Sequence, residues 1–81
     1  MTSKVGVIGS VARTAAEVTK HDTNKNQFSY LYVGSTGDLK ITTEGGDVVT
    51  LNEVPAGSWV WVRTSLIWST GTTASDIVGF N

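Results

Sequence analysis

From Gln27 to the C-terminus the chain is a succession of short apolar runs cut by turns, and this punctuation constrains the fold more than any other feature. Tyr30-Leu31-Tyr32-Val33-Gly34 is followed by Asp38-Leu39-Lys40-Ile41-Thr42-Thr43, then Glu44-Gly45-Gly46-Asp47 and Val48-Val49-Thr50-Leu51. Val54-Pro55-Ala56-Gly57-Ser58 leads into Trp59-Val60-Trp61-Val62-Arg63, and Gly71-Thr72-Thr73-Ala74 precedes Ile77-Val78-Gly79-Phe80. β-Branched and aromatic runs bounded by Gly, Pro, Asn and Asp about every ten residues are the mark of a small all-β domain. The expected architecture is a small antiparallel β-sandwich or barrel, spanning residues 28–81, with an extended N-terminal arm over residues 1–27.

Within the body the period is two. Phe28, Tyr30 and Tyr32 fall on one face of a strand and Leu31 and Val33 on the other; Leu39 and Ile41 oppose Lys40 and Thr42. Gly34 to Gly37 reads as a hairpin reversal. Gly45-Gly46 reads as a tight turn with positive φ at both residues. Pro55 is expected at the second position of a turn that ends on Gly57. Ser58 to Trp68 is the longest strand candidate, with Trp59, Trp61 and Arg63 on one face and Val60, Val62, Thr64, Leu66 and Trp68 on the other. Large apolar groups on both faces exceed what a half-buried strand needs, so Val60, Val62 and Leu66 are expected in the core and the tryptophan face at an interface.

At 81 residues the chain forms one marginal core, because small domains leave much of their surface unburied. There is no cysteine and a single histidine, so a disulfide framework, a thiolate nucleophile and a histidine metal cluster are excluded. Self-association remains as the source of extra stability. The net charge is −1, which argues against nucleic acid as a partner. The charge is uneven: Lys4, Arg13, Lys20 and Lys25 outweigh Glu17 and Asp22 in the arm, whereas five carboxylates outnumber Lys40 and Arg63 in the body. No apolar run approaches the length of a membrane span, and Val5 to Ile8 is too short and glycine-broken for a signal peptide; a soluble protein made in a cytoplasm, with no membrane partner, is expected. The arm admits a short helix capped by Ser10, with Val11, Ala15 and Val18 on one face. Its branched residues favour instead an extended strap over the body or a neighbouring subunit, with His21 to Asn26 as a polar hinge.

Chemistry-bearing constellations are absent. Gly34-Ser35-Thr36-Gly37 before Lys40 lacks the spacing of a phosphate loop, and a strand rather than a helix follows. Asp38, Glu44, Asp47 and Glu53 stand at strand ends, where carboxylates solvate turns; neither a framed carboxyl pair nor a calcium loop is present. No catalytic residue, cofactor or metal is expected, and the chain does not read as an enzyme. The aromatic residues carry the functional signal. Trp59, Trp61 and Arg63 with Tyr30 and Tyr32 are the candidate contact residues of the body, joined by Val5, Val7 and Ile8 of the arm. An aromatic sheet face can also stack sugars, so a carbohydrate-binding module is the alternative; nucleic-acid grooves carry more Lys and Arg than stand here.

Leu31-Tyr32-Val33-Gly34, Gly37-Asp38-Leu39-Lys40-Ile41-Thr42-Thr43, Val54-Pro55-Ala56-Gly57 and Thr70 to Val78 resemble, in order and spacing, the head spike base proteins of tailed bacteriophages and gene transfer agents. The likeness covers residues 31–80. It implies a non-enzymatic virion protein on the outer capsid surface, made in the host bacterial cytoplasm and serving as head decoration (cement) or spike base. It further implies the major capsid protein as a partner, a cyclic homo-oligomer (trimer or pentamer), and a head fibre protein as a further partner. Two features depart from the family pattern: the alanine-rich basic arm, where a proline-containing acidic leader is usual, and Trp59-Val60-Trp61, where aliphatic residues are usual.

Overall fold

The computed structural model describes residues 12–23 and 25–81. Seven strands form: β1 (Ala15–Glu17), β2 (Tyr30–Ser35), β3 (Gly37–Thr43), β4 (Val48–Val54), β5 (Ser58–Val60), β6 (Thr64–Ile67) and β7 (Ser75–Phe80). They make two antiparallel sheets, β1-β7-β2-β5 and β4-β3-β6. The all-β expectation holds, as a two-sheet sandwich. Among the described residues no helix is long and apolar enough to cross a membrane.

Alternation decides which residues meet between the sheets. Leu31 and Val33 of β2, Val60 of β5 and Ile77 of β7 point inward from one sheet; Leu39 and Ile41 of β3 and Ile67 of β6 point inward from the other. Leu31, Val33, Leu39 and Ile67 have no solvent contact. Burying such aliphatic side chains stabilises by about 1.5–3 kcal/mol each, so a handful of them carries this small core. Phe28 departs from the expected pattern. It does not share the face of Tyr30 and Tyr32; after the bend at Ser29 its ring packs on the core, directly over Gly79.

The long strand expected from Ser58 to Trp68 is two strands in two sheets. β5 pairs with β2 and stops at Val60, whereas β6 starts at Thr64 and pairs with β3. The chain changes sheet at Trp61-Val62-Arg63, a corner of the sandwich, where bends replace ladder pairing. Two core assignments fail for this reason. Val62 lies at the corner and is 38% exposed, while Val60 is 7% exposed. Leu66 is buried but pairs with Thr42, outside the core cluster, and Ile67 opposite Ile41 takes the core position.

The turns also differ from expectation. Gly34 to Gly37 is no hairpin: β2 already has β5 and β7 on its two sides, so the chain must cross to the other sheet to begin β3. In the β3–β4 hairpin the Gly46 amide donates to the Thr43 carbonyl at 2.9 Å and the Thr43 amide to the Asp47 carbonyl at 2.8 Å. That is a three-residue loop, which needs a left-handed residue at its end alone; Gly46 has φ 99° and Gly45 is not in that region. Pro55 is the first residue of its turn, its carbonyl accepting from the Ser58 amide at 3.2 Å, and Gly57 (φ 85°) is the third.

Residues 12–23 run along their own body rather than waiting for a neighbour. β1 adds to β7 as an edge strand, with Ala15 opposite Phe80 and Glu17 opposite Val78. Further on, the His21 amide donates to the Ile67 carbonyl at 3.0 Å and the Asn26 amide to the Ser65 carbonyl at 3.1 Å. The strap thus starts on one sheet and ends on the other. The extended reading of this segment is correct, and the helix reading is not.

Candidate functional site

The same alternation that sends Leu31, Val33, Val60 and Ile77 inward sends Tyr30, Tyr32, Trp59 and Phe80 to the outer face of the first sheet. Register brings them together: Tyr32 is opposite Trp59 and Tyr30 opposite Phe80. Trp61, just past the end of β5, folds back onto Tyr30 with ring centroids 4.7 Å apart. Tyr30 stacks on Phe80 at 5.3 Å, and Trp59 stacks on Trp61 at 5.7 Å. Tyr32 meets Trp59 edge-on at 5.0 Å. Aromatic pairs of this kind contribute about 0.5–1.5 kcal/mol beyond their area burial, so the rings hold one another in place. They are nonetheless left open to solvent, Trp59 being 46% and Trp61 69% exposed.

Four of the residues singled out from the sequence are therefore brought together: Tyr30, Tyr32, Trp59 and Trp61. Arg63 is not with them. It lies beyond the corner, exposed, with its carbonyl accepting from the Glu44 amide at 3.0 Å beside the β3–β4 hairpin. The strand break is the cause, since the alternation that grouped Arg63 with the tryptophans ends at Val60. Val5, Val7 and Ile8 lie outside the described residues. Phe80 belongs to the cluster and was missed; its signal was the alternation Ile77, Gly79 against Val78, Phe80 in the last strand. Trp68 is elsewhere, with its indole N–H donating to Thr42 Oγ1 at 3.0 Å and the Lys40 ammonium 4.3 Å from its ring centroid.

Two further features border the surface. The Ala12 amide donates to the Tyr30 hydroxyl at 3.1 Å, tying the start of the described chain to the ring row. On the other sheet, Val48 and Val49 of the edge strand β4 are exposed. Polar chemistry is sparse. Asp22 fastens the strap: Oδ2 accepts from the Thr70 hydroxyl at 2.6 Å, and Oδ1 accepts from the Thr70 and Ser69 amides at 2.7 and 3.1 Å. The Thr70 hydroxyl, then the two amides and the nearby His21, hold its carboxyl below the usual carboxylate range. Among the described residues, no group of three or more His, Asp or Glu side chains could hold a metal ion. What the arrangement can do chemically is bury: a broad, pre-ordered apolar face invites a partner surface.

No family model matches the chain, and no curated protein does. A solved structure does: the chain is similar to a chain in the capsid of a native GTA particle, computed with C5 symmetry. The two are 33% identical, with a TM-score of 0.81, over 91% of this chain and 88% of that one.

Proposed function

Because the chain belongs to the family of that gene transfer agent capsid chain and is a capsid-associated structural protein, we propose that it is a head decoration protein of the cement or spike-base type, seated on the outside of a phage-like capsid. Its partners are the major capsid protein and further copies of itself in a cyclic trimer or pentamer, with a head fibre protein mounted above. The observation that carries this reading is the aromatic row. Trp59 and Trp61 present large apolar area that a monomer has no use for, and fully desolvated aromatic anchors are what dominate protein contacts. Residues 1–27 act as the arm of this assembly and residues 28–81 as its β body.

The test is occupancy on particles. Trp61→Ala removes exposed area, so its Tm should stay within a few degrees of wild type while particle binding weakens by about 2 kcal/mol, roughly thirtyfold. Undiminished occupancy of a Trp59→Ala, Trp61→Ala double variant would remove the aromatic face from the contact. A glycan-binding reading is favoured by one observation, the exposed face of Trp61. It predicts saturable oligosaccharide binding that the same double variant abolishes.

A further inference from the structure

We infer that β4 of one copy pairs edge to edge with β1 of the next, so that copies join head to tail through a continuous antiparallel sheet. Unpaired backbone groups point there. In the β3–β4 hairpin the Thr43 amide bonds the Asp47 carbonyl, and bonded and unbonded pairs alternate from that point along an antiparallel ladder. Val49 and Leu51 therefore bond β3, opposite Ile41 and Leu39, while Val48, Thr50 and Asn52 turn their N–H and C=O groups outward. Val48 and Val49 are exposed, and no Lys or Pro interrupts residues 48–52. An unguarded edge of this kind is a template for another strand. β1 offers a second one. Thr14 and Asn81 exchange both backbone bonds, at 2.8 and 3.0 Å, and the Val18 amide donates to the Ile77 carbonyl at 2.9 Å. Alternation then bonds Ala16 to Gly79 and turns the backbone groups of Ala15 and Glu17 outward. Among the described residues, nothing pairs with the outward groups of either strand.

The two edges lie on opposite flanks of the sandwich. Val18 is bonded to β7 and His21 to Ile67 of β6, and so short a link spans at most about 10 Å; β1 and β6 therefore share a flank. β6 is closed there, since its Ile67 and Ser65 carbonyls accept from His21 and Asn26, and Thr64 exchanges bonds with Phe28. The far flank holds β4 and β5, the other ends of the two sheets. Pairing one flank with the other is head-to-tail, the geometry that closes into rings. Length and charge select β4 over β5. β4 has seven residues and β5 three. Asp47 and Glu53 bracket the free run of β4, and Arg13 and Lys20 bracket β1, with Glu17 between them. The register that sets Thr50 opposite Glu17 and Asn52 opposite Ala15 makes the outward groups face one another. It brings Lys20 level with Asp47 and Arg13 beside Glu53, and keeps Glu17 away from both carboxylates of β4. A second β4 in the same place, centred on Thr50, would set Asp47 against Glu53 twice, and like charges directly opposite are destabilising. This pairing rests on the cyclic assembly of the proposed function and names the edges that build it.

The absence of cysteine permits a disulfide test. Ala15→Cys chains and Asn52→Cys chains, mixed and mildly oxidised, should give several-fold more linked dimer than either variant alone, and a chain carrying both should give a ladder of linked copies. No excess of linked dimer in the mixture would overturn the inference. So would dimers formed as readily by Asn52→Cys or Thr50→Cys chains alone, because β4 would then meet β4. A second variant reads the same edge without a cross-link. Thr50→Pro removes an outward N–H and leaves the bonds to β3 in place, so it should sediment as a smaller species while circular dichroism keeps the β signal. An oligomer unchanged by Thr50→Pro would count against the pairing. Particle occupancy separates this inference from the proposed function: linked copies that fail to bind particles would sink the decoration role alone, and a particle-bound ring without the cross-link would sink the edge pairing alone.

Discussion

Gly79 shows how a single residue type can be forced by packing rather than by backbone conformation. A Cβ placed there would run into the Phe28 ring, and the ring cannot retreat without leaving its place against the core. Gly79→Ala should therefore destabilise by about 1–3 kcal/mol, as overpacking does, read as a drop in urea midpoint at unchanged slope. Thr64 presents the opposite case. Its side chain is 1% exposed and its Oγ1 has no protein partner, a burial that costs about 1–3 kcal/mol. Thr64→Val keeps the shape and removes the hydroxyl, so the variant should melt higher than wild type. A lower melting temperature would mean that the hydroxyl is satisfied.

Among the elements, the corner at Trp61-Val62-Arg63 separates two positions that alternation alone treats as equivalent. Val60→Asp puts an unpaired carboxylate between the sheets, which a small domain does not survive. Val62→Asp places it at an exposed corner and should leave circular dichroism and Tm close to wild type. The strap carries an acid-sensitive fastening. Asp22 is held below its ordinary pKa by Thr70 and Ser69, so its contribution is fully present above the usual carboxylate value and is lost as the pH falls through the depressed one. The Tm difference between wild type and Asp22→Asn should thus be largest near neutrality and close in acid. A difference that does not change with pH would show that the carboxylate charge does not hold the strap.

At the scale of the whole molecule, a small core and a solvent-exposed aromatic face belong together if copies assemble. Sedimentation at micromolar concentration should give a closed homo-oligomer, and a stably folded monomer of 8.6 kDa would exclude it. Much of this was legible in the amino-acid order. Period-two alternation is a local property, so the strands, the inward Leu31, Val33, Leu39 and Ile41, and the outward Tyr30, Tyr32 and Trp59 follow from the sequence without further information. The resemblance to a capsid-associated family rests on something else, the order and spacing of the turn-and-strand motifs over residues 31–80. What alternation cannot encode is which strand lies beside which. Sheet membership depends on contacts between residues far apart in sequence, and the tertiary structure alone broke Ser58–Trp68 at the corner, turned Val62 and Arg63 away from their expected places, and brought Phe80 into the ring row. It also decided that β1 completes its own sheet, because the edge amides of β7 are satisfied by whichever strand reaches them, and Ala15–Glu17 is held there by its register with Phe80 to Val78.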